Sequence, residues 1–156
     1  MLIEYKKISS ESKVVLYPSS RKFYDNEVEE IRLSIENFIS DELEFSIAFK
    51  IEYQRFLLFF ISDDVVITIE FMDKIANFIQ QIEKKYQVIL LDKVNVSFKQ
   101  GDFVQYQEMK KFRKLVKSKS ISKKTIVFNN LIQTKGEFEN EWEVPLQESW
   151  LSHLIK

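Results

Sequence analysis

Cysteine is absent from this chain, glycine occurs only at Gly101 and Gly136, and histidine only at His153. Without a thiol there is no cysteine nucleophile, no thiolate-held zinc or iron–sulfur cluster and no disulfide. Two isolated glycines cannot build a phosphate-cradling loop of the GxxxxGK[ST] or GxGxxG kind, whose bare backbone N–H groups close around the anion. A lone histidine leaves little room for histidine-rich metal sites or Ser–His triads. Long apolar runs are missing too. The longest, Phe56 to Ile61, has the length of a strand and falls far short of the roughly 20 residues that span a bilayer.

What is present suits a folded domain. The 156 residues are 45% hydrophobic and 14% aromatic, enough for a core, and the net charge of -1 creates no overall pull toward polyanions. The first residues, Met1-Leu2-Ile3-Glu4-Tyr5-Lys6-Lys7, lack an apolar stretch behind a basic start, so the expectation is a cytoplasmic protein without a signal peptide. Lysine far outnumbers arginine, and alanine occurs only at Ala48 and Ala76, a bias that AT-rich coding produces without selection for any chemistry.

The pattern along the chain predicts an α+β fold. Lys13–Tyr17 reads as a strand stopped by Pro18. Asn26 and Glu29 read as a capping box, followed by a helix that turns Val28, Ile31, Ile35, Phe38 and Ile39 to one side. Alternation from Leu43 to Tyr53 predicts a long half-buried strand, and the run Phe56–Ile61, apolar on both faces, a central one. Thr68 caps a predicted helix over Ile69–Tyr86. Val88–Leu91 and Val94–Phe98 read as strands, Gln100-Gly101-Asp102 as a hairpin turn into Phe103–Tyr106, Gln107–Lys117 as a helix and Thr125–Phe128 as a short strand. From Asn129 the tail reads as irregular. The order is that of a ferredoxin-like β-α-β-β-α-β antiparallel sheet with a C-terminal hairpin–helix–strand extension. Two units sharing one core are expected, 1–93 and 94–156.

Each candidate constellation has a plain structural alternative. Asp63, Asp64, Glu70 and Asp73 could hold a hard cation, or could end a strand and complement a helix dipole; the expectation is no metal and no cofactor. Arg21, Lys22 and Arg55 could bind an anion, or form surface ion pairs. Lys110, Lys111, Arg113, Lys114, Lys117, Lys119, Lys123 and Lys124 could track a phosphate backbone. The acids that follow, Glu137, Glu139, Glu141, Glu143 and Glu148, could instead neutralise them. Trp142 and Trp150 could anchor a partner, or Trp142 could seal the C-terminal piece onto the sheet. His153, with only Ser149 and Ser152 beside it, reads as a solvent-facing residue.

The segments Tyr17-Pro18-Ser19-Ser20-Arg21-Lys22-Phe23, Ile51 to Phe56, Val127-Phe128-Asn129-Asn130-Leu131 and Trp142-Glu143-Val144-Pro145 with Ser149-Trp150 resemble a family of short Bacteroidota proteins. Its members often carry the label "ABC transporter ATPase". The resemblance runs from about Lys13 onward and implies no established activity. The label itself fails here, since the chain has neither a Walker A loop nor a Leu-Ser-Gly-Gly-Gln-type signature. Family members often carry Gly-Cys-Ser-Ile-Asp before the second helix. This chain has Ile69-Glu70-Phe71-Met72-Asp73, so a chemistry built on that cysteine is closed to it. The C-terminal part is also similar in pattern to bacterial GYF-type adaptor domains, with Ser120 in place of their glycine and Val127-Phe128 in place of Val-Trp.

These observations favour a non-catalytic protein-interaction or adaptor module. Its expected partner surface combines Asn129, Asn130, Trp142 and Trp150 with Lys110, Lys111, Arg113 and Lys114. The alternatives are an RNA- or ribosome-associated protein, and a small enzyme using only carboxylates or lysines, whose mark would be a deep pocket with a buried acid or lysine.

Overall fold

A computed structural model describes residues 1–92 and 94–155, so the expected unit boundary at Lys93 lies outside the described residues. The fold is α+β. Its first half runs β1 (Lys13–Pro18), α1 (Asp25–Glu42), β2 (Ile47–Glu52), β3 (Phe56–Ile61) and α2 (Ile69–Tyr86). Its second half runs β4 (Val96–Gln100), β5 (Phe103–Gln107), α3 (Met109–Lys117), β6 (Ile126–Phe128), α4 (Lys135–Glu141) and β7 (Glu143–Pro145).

The first three strands form an antiparallel sheet in the order β1-β3-β2. All of β3 is buried, as a strand apolar on both faces must be. Leu57, Phe59 and Ile61 point toward α1 and α2, where they meet Val28, Ile31, Ile35, Phe38 and Ile39 and, from α2, Phe71, Ile75, Ile79 and Ile82. Phe56, Leu58 and Phe60 point the other way, into a second core with Phe128, Ile132 and Trp142 from the C-terminal half. The remaining strands form a sheet in the order β5-β4-β6-β7. Alternation along β6 divides it between two cores, Phe128 facing the first sheet and Val127 facing Phe98, Phe112 and Val116 under α3.

Thr68 caps α2 as expected, its Oγ1 accepting the Phe71 N–H at 3.1 Å. The cap of α1 lies elsewhere than expected. Helix begins at Asp25, and the Glu27 carboxylate rather than Glu29 accepts a backbone N–H, that of Tyr24, at 2.9 Å. The alternating stretch from Leu43 yields a strand only over Ile47–Glu52, because α1 continues to Glu42 and Leu43 still donates back to Ile39. Nor is the tail irregular: Thr134 caps α4, accepting from Glu137 N–H at 3.1 Å, and β7 pairs with β6.

The expected strand at Val88–Leu91 does not form, so the ferredoxin-like fourth strand is missing from the edge of β1. Three contacts explain this. The Glu83 carboxylate captures the N–H groups of Leu90 and Leu91 at 2.7 and 3.0 Å, a local bond that competes with a ladder. Val14 N–H is already donated to Gln133 O at 3.0 Å. Alternation then turns the nitrogen of Pro18 to the same outer edge, where it has no proton to give. Of Val88–Leu91, Ile89 alone among the described residues bonds near that edge, at Ser20.

Phe59→Ala is expected to lower unfolding free energy by about 3–5 kcal/mol, since it opens a cavity in a strand covered on both sides. Phe103→Ala, at a residue 71% exposed, is expected to change it by less than about 0.5 kcal/mol. Urea midpoints of the two variants check the contrast.

Candidate functional site

The tight connection between β2 and β3 places two adjacent residues in an uncommon backbone conformation. Tyr53 (φ 54°) and Gln54 (φ 52°) both lie in the left-handed region, which residues with side chains seldom adopt. Arg55 N–H closes the turn on Glu52 O at 3.0 Å. Such conformations cost about 1–3 kcal/mol each and persist where surroundings over-determine them. Here they do. Gln54 O accepts Phe23 N–H at 2.8 Å, and its Nε2 donates to Phe23 O at 3.2 Å and to Asp25 Oδ1 at 2.8 Å. On the other side the Tyr53 hydroxyl lies 2.8 and 2.9 Å from the two Glu143 carboxylate oxygens. Burial, together with that carboxylate, holds the phenol above its ordinary pKa. The Lys99 ammonium pairs with Glu143 and sits 4.9 Å from the centre of the Tyr53 ring.

Arg55 emerges from this clamped turn. Its carbonyl accepts Ser19 N–H at 2.8 Å, which fixes the backbone. Its guanidinium Nε and Nη1 are buried and have no hydrogen-bond partner among the described residues. Burial lowers the Arg55 pKa, with the nearby Tyr106 phenol opposing the shift. A guanidinium offers five N–H donors in a fixed fork, so two buried nitrogens without acceptors are a cost to folding, and Nη2, which is not among the buried atoms, is the nitrogen open to an anion.

Arg55 lines a surface cleft of about 520 Å³ between α1, the end of β2 and the β4–β5 hairpin. Lys22 and Arg32 line it as well, with Val28, Ile51, Tyr53 and Gln54, and residues 102–105 form its far wall. Gly101, with φ 61°, makes the turn that places this wall. Asp102 is the one carboxylate in the lining, against three cations. Arg32 has only an exposed contact with Glu29 at 3.9 Å, too weak to neutralise it, and Lys22 has no ion pair among the described residues.

Of the expected anion-binding residues, Lys22 and Arg55 therefore share the cleft and Arg21 does not. Arg21 forms a bidentate pair with Glu27 at 2.8 and 3.0 Å and donates to Tyr86 O at 2.8 Å, tying the start of α1 to the end of α2. Arg32 was missed, because a helix-surface arginine carries no signal by itself. A usable signal was arginine's scarcity: three of the chain's four arginines, Arg21, Arg32 and Arg55, stand at this end of the fold.

The expected partner surface is not assembled. Trp142 is only 3% exposed and packs against Phe128, Phe56 and Phe138 at 4.8, 4.9 and 5.0 Å, so it seals the C-terminal half onto the first sheet. Its indole N–H donates to the buried Asn130 Oδ1 at 3.3 Å, and Asn129 is held by Trp142 O and by Leu131 N–H. Trp150 is exposed. Lys110, Lys111, Arg113 and Lys114 project outward from α3, which packs on the opposite side of the second sheet.

The basic stretch from Lys110 to Lys124 forms no ion pair among the described residues, so the acidic tail does not neutralise it by direct contact. Lys135 is buried, but its ammonium donates to Tyr5 O and Ile8 O at 2.9 and 2.8 Å and faces the Tyr5 ring at 4.2 Å, a structural bond set. Among the described residues no three Asp, Glu or His side chains converge as a metal site, Asp63, Asp64, Glu70 and Asp73 included. His153 is exposed in a short 3-10 turn. No helix among the described residues is long and apolar enough to cross a membrane.

Comparison with known protein families, with curated proteins and with solved structures finds no match to this chain.

The Arg21 pair gives the frame of the cleft a pH dependence. Its hydrogen bonds hold Glu27 below the ordinary glutamate pKa, so the stabilisation is complete above that value, about 4.3, and is lost as pH falls through the lowered one. Glu27→Gln is expected to be less stable than the parent at pH 7, with the gap closing on acidification. Urea unfolding across pH 2–7 measures it; a gap that stays constant would refute the linkage.

Proposed function

We propose that this protein is a non-catalytic interaction module that holds an anionic group of a partner protein in the cleft of Lys22, Arg32 and Arg55. One observation carries the reading: three cations line one cleft against a single carboxylate, and Arg55 among them keeps two buried nitrogens without an acceptor among the described residues. Leaving buried donors unsatisfied costs about 1–3 kcal/mol, more for charged groups, and an apolar side chain would fill the space without that cost. A feature that opposes stability in this way marks function more than folding. The remainder of the lining supports binding over turnover. It offers cations, amides, apolar side chains and the Tyr53 phenol, whose hydroxyl is engaged by Glu143, with Asp102 at the hairpin tip and no histidine, cysteine or serine.

The reading predicts opposite effects from one substitution. Arg55→Met is expected to weaken binding of a hexaglutamate probe at least about tenfold, the loss of one charge-assisted contact. The same change is expected to raise unfolding free energy by about 1 kcal/mol or more. Titration calorimetry and urea unfolding check both. Unchanged affinity for the probe would sink the reading.

A second reading is favoured by α3. Its exposed cations and those of the following loop, from Lys110 to Lys124, stand without ion pairs, as a surface that meets a nucleic-acid backbone requires. The quadruple change of Lys110, Lys111, Arg113 and Lys114 to glutamine is expected to abolish salt-sensitive retention on an RNA column while leaving hexaglutamate binding in the cleft unchanged. A parent protein that fails to be retained at moderate salt would end this reading.

A further inference from the structure

The edge of β2 that borders the cleft is partly open. Ser62 N–H bonds Ser46 O at 3.2 Å, so even-numbered residues of β2 face β3 through their backbone groups and odd-numbered ones face outward. Ile47 conforms: its N–H donates to Met1 O at 2.9 Å and its carbonyl accepts Ile3 N–H at 3.0 Å, so that the chain's first residues lie parallel to β2. Beyond Glu4 the chain leaves the edge for the 3-10 turn Tyr5–Lys7. The outward N–H and C=O of Phe49 and Ile51 are left without a partner among the described residues.

A groove follows these open groups. Phe49 lines a cleft of about 350 Å³, Ile51 lines the 520 Å³ cleft, and Arg32 lines both. The groove thus runs along β2 from the end of the first segment to the clamped turn, where Arg55 lies. From Phe49 to Tyr53 it has room for about five residues of extended chain at roughly 3.3 Å each.

We infer that this edge binds the carboxyl-terminal segment of a partner protein by strand addition, parallel to β2, with its terminal carboxylate at Arg55. Three observations select that occupant. The free backbone groups at Phe49 and Ile51 are those that pair with an extended main chain. The first segment of the chain shows that this edge accepts a parallel strand, and a strand in that direction points its carboxyl end toward Tyr53 and Arg55. At that end residues 102–105 of the hairpin line the cleft together with Lys22, Arg32 and Arg55, so a chain that ends there brings its carboxylate to charges of the opposite sign. This inference rests on the anion-binding reading of the cleft and adds the nature of the ligand.

The test uses the full chain and a library of random pentapeptides, made once with free carboxyl termini and once as amides, with citrate as a small polyanion control. The tightest free-acid peptide is expected to lose at least tenfold in affinity on amidation, on N-methylation of alternate residues, and with Arg55→Met. In ¹⁵N spectra the amides of Phe49 and Ile51 are expected to shift on its addition. A peptide that keeps its affinity when amidated or N-methylated, yet still needs Arg55, would overturn strand addition and leave the cleft as an anion site. So would citrate binding that depends on Arg55 while neither library binds. Failure of peptides and citrate alike would overturn both.

Discussion

A strand with no polar face is the constraint from which the architecture follows. Every side chain of β3, from Phe56 to Ile61, is buried, so the strand must be covered on both sides or expose a sheet of phenylalanine and leucine to water. Two amphipathic helices cover one side. On the other side Tyr5 and Ile8, at the first 3-10 turn, cover part of the strand, Tyr5 meeting Phe60 at 4.9 Å, and Phe128, Ile132 and Trp142 supply further cover from the second half. The two halves are therefore bound by a shared core, not by a linker. The aromatic contacts of Trp142 with Phe56, Phe128 and Phe138 are its centre.

That shared core also makes the cleft. Docking the second sheet under the first brings the β4–β5 hairpin beside the end of β2, where the chain must reverse from β2 into β3 in a tight turn. Glu143, just after Trp142, then reaches the Tyr53 hydroxyl, and Asp25, at the start of α1, reaches Gln54. The two left-handed residues are gripped from opposite sides by elements that pack on opposite faces of the sheet. Arg55 follows directly from them; its carbonyl is bound by Ser19, and burial of its Nε and Nη1 limits the freedom of the side chain to swing into solvent. Pre-organisation of this kind lowers the entropy lost when a ligand arrives.

Much of the frame was legible in the sequence because its signals are local. The Thr68 cap and the four-apart, three-apart spacing gave α2 over Ile69–Tyr86, and doubly apolar Phe56–Ile61 gave the central strand. What stayed illegible depends on competition between distant groups. Val88–Leu91 has strand-like composition, but a Glu83 side chain claims its N–H groups, and no periodicity announces that. The alternation from Leu43 to Tyr53 is real, yet α1 runs to Glu42 and takes Leu43 as its C-cap, and the strand forms over Ile47–Glu52. The cleft divides in the same way. Arg21 and Arg55 look alike in sequence. Glu27 stands close enough along the chain to occupy one, while the other has no carboxylate partner among the described residues, a fact of tertiary placement alone.

The net charge of -1 conceals two cationic sites of different physical character. The lysines of α3 are exposed, and their field is shared with mobile counterions, so at physiological ionic strength it fades over roughly 8 Å. Several such charges act together only on a partner that is itself a dense row of anions. The Arg55 guanidinium is half-buried against Tyr106 and the turn, where screening is weaker and each hydrogen bond to an ion counts for more. Composition sums both sites into a single near-zero number, although the first suits an extended polyanion and the second a single oriented anionic group. The division follows from burial, and burial here follows from the demand of β3 for cover on both faces.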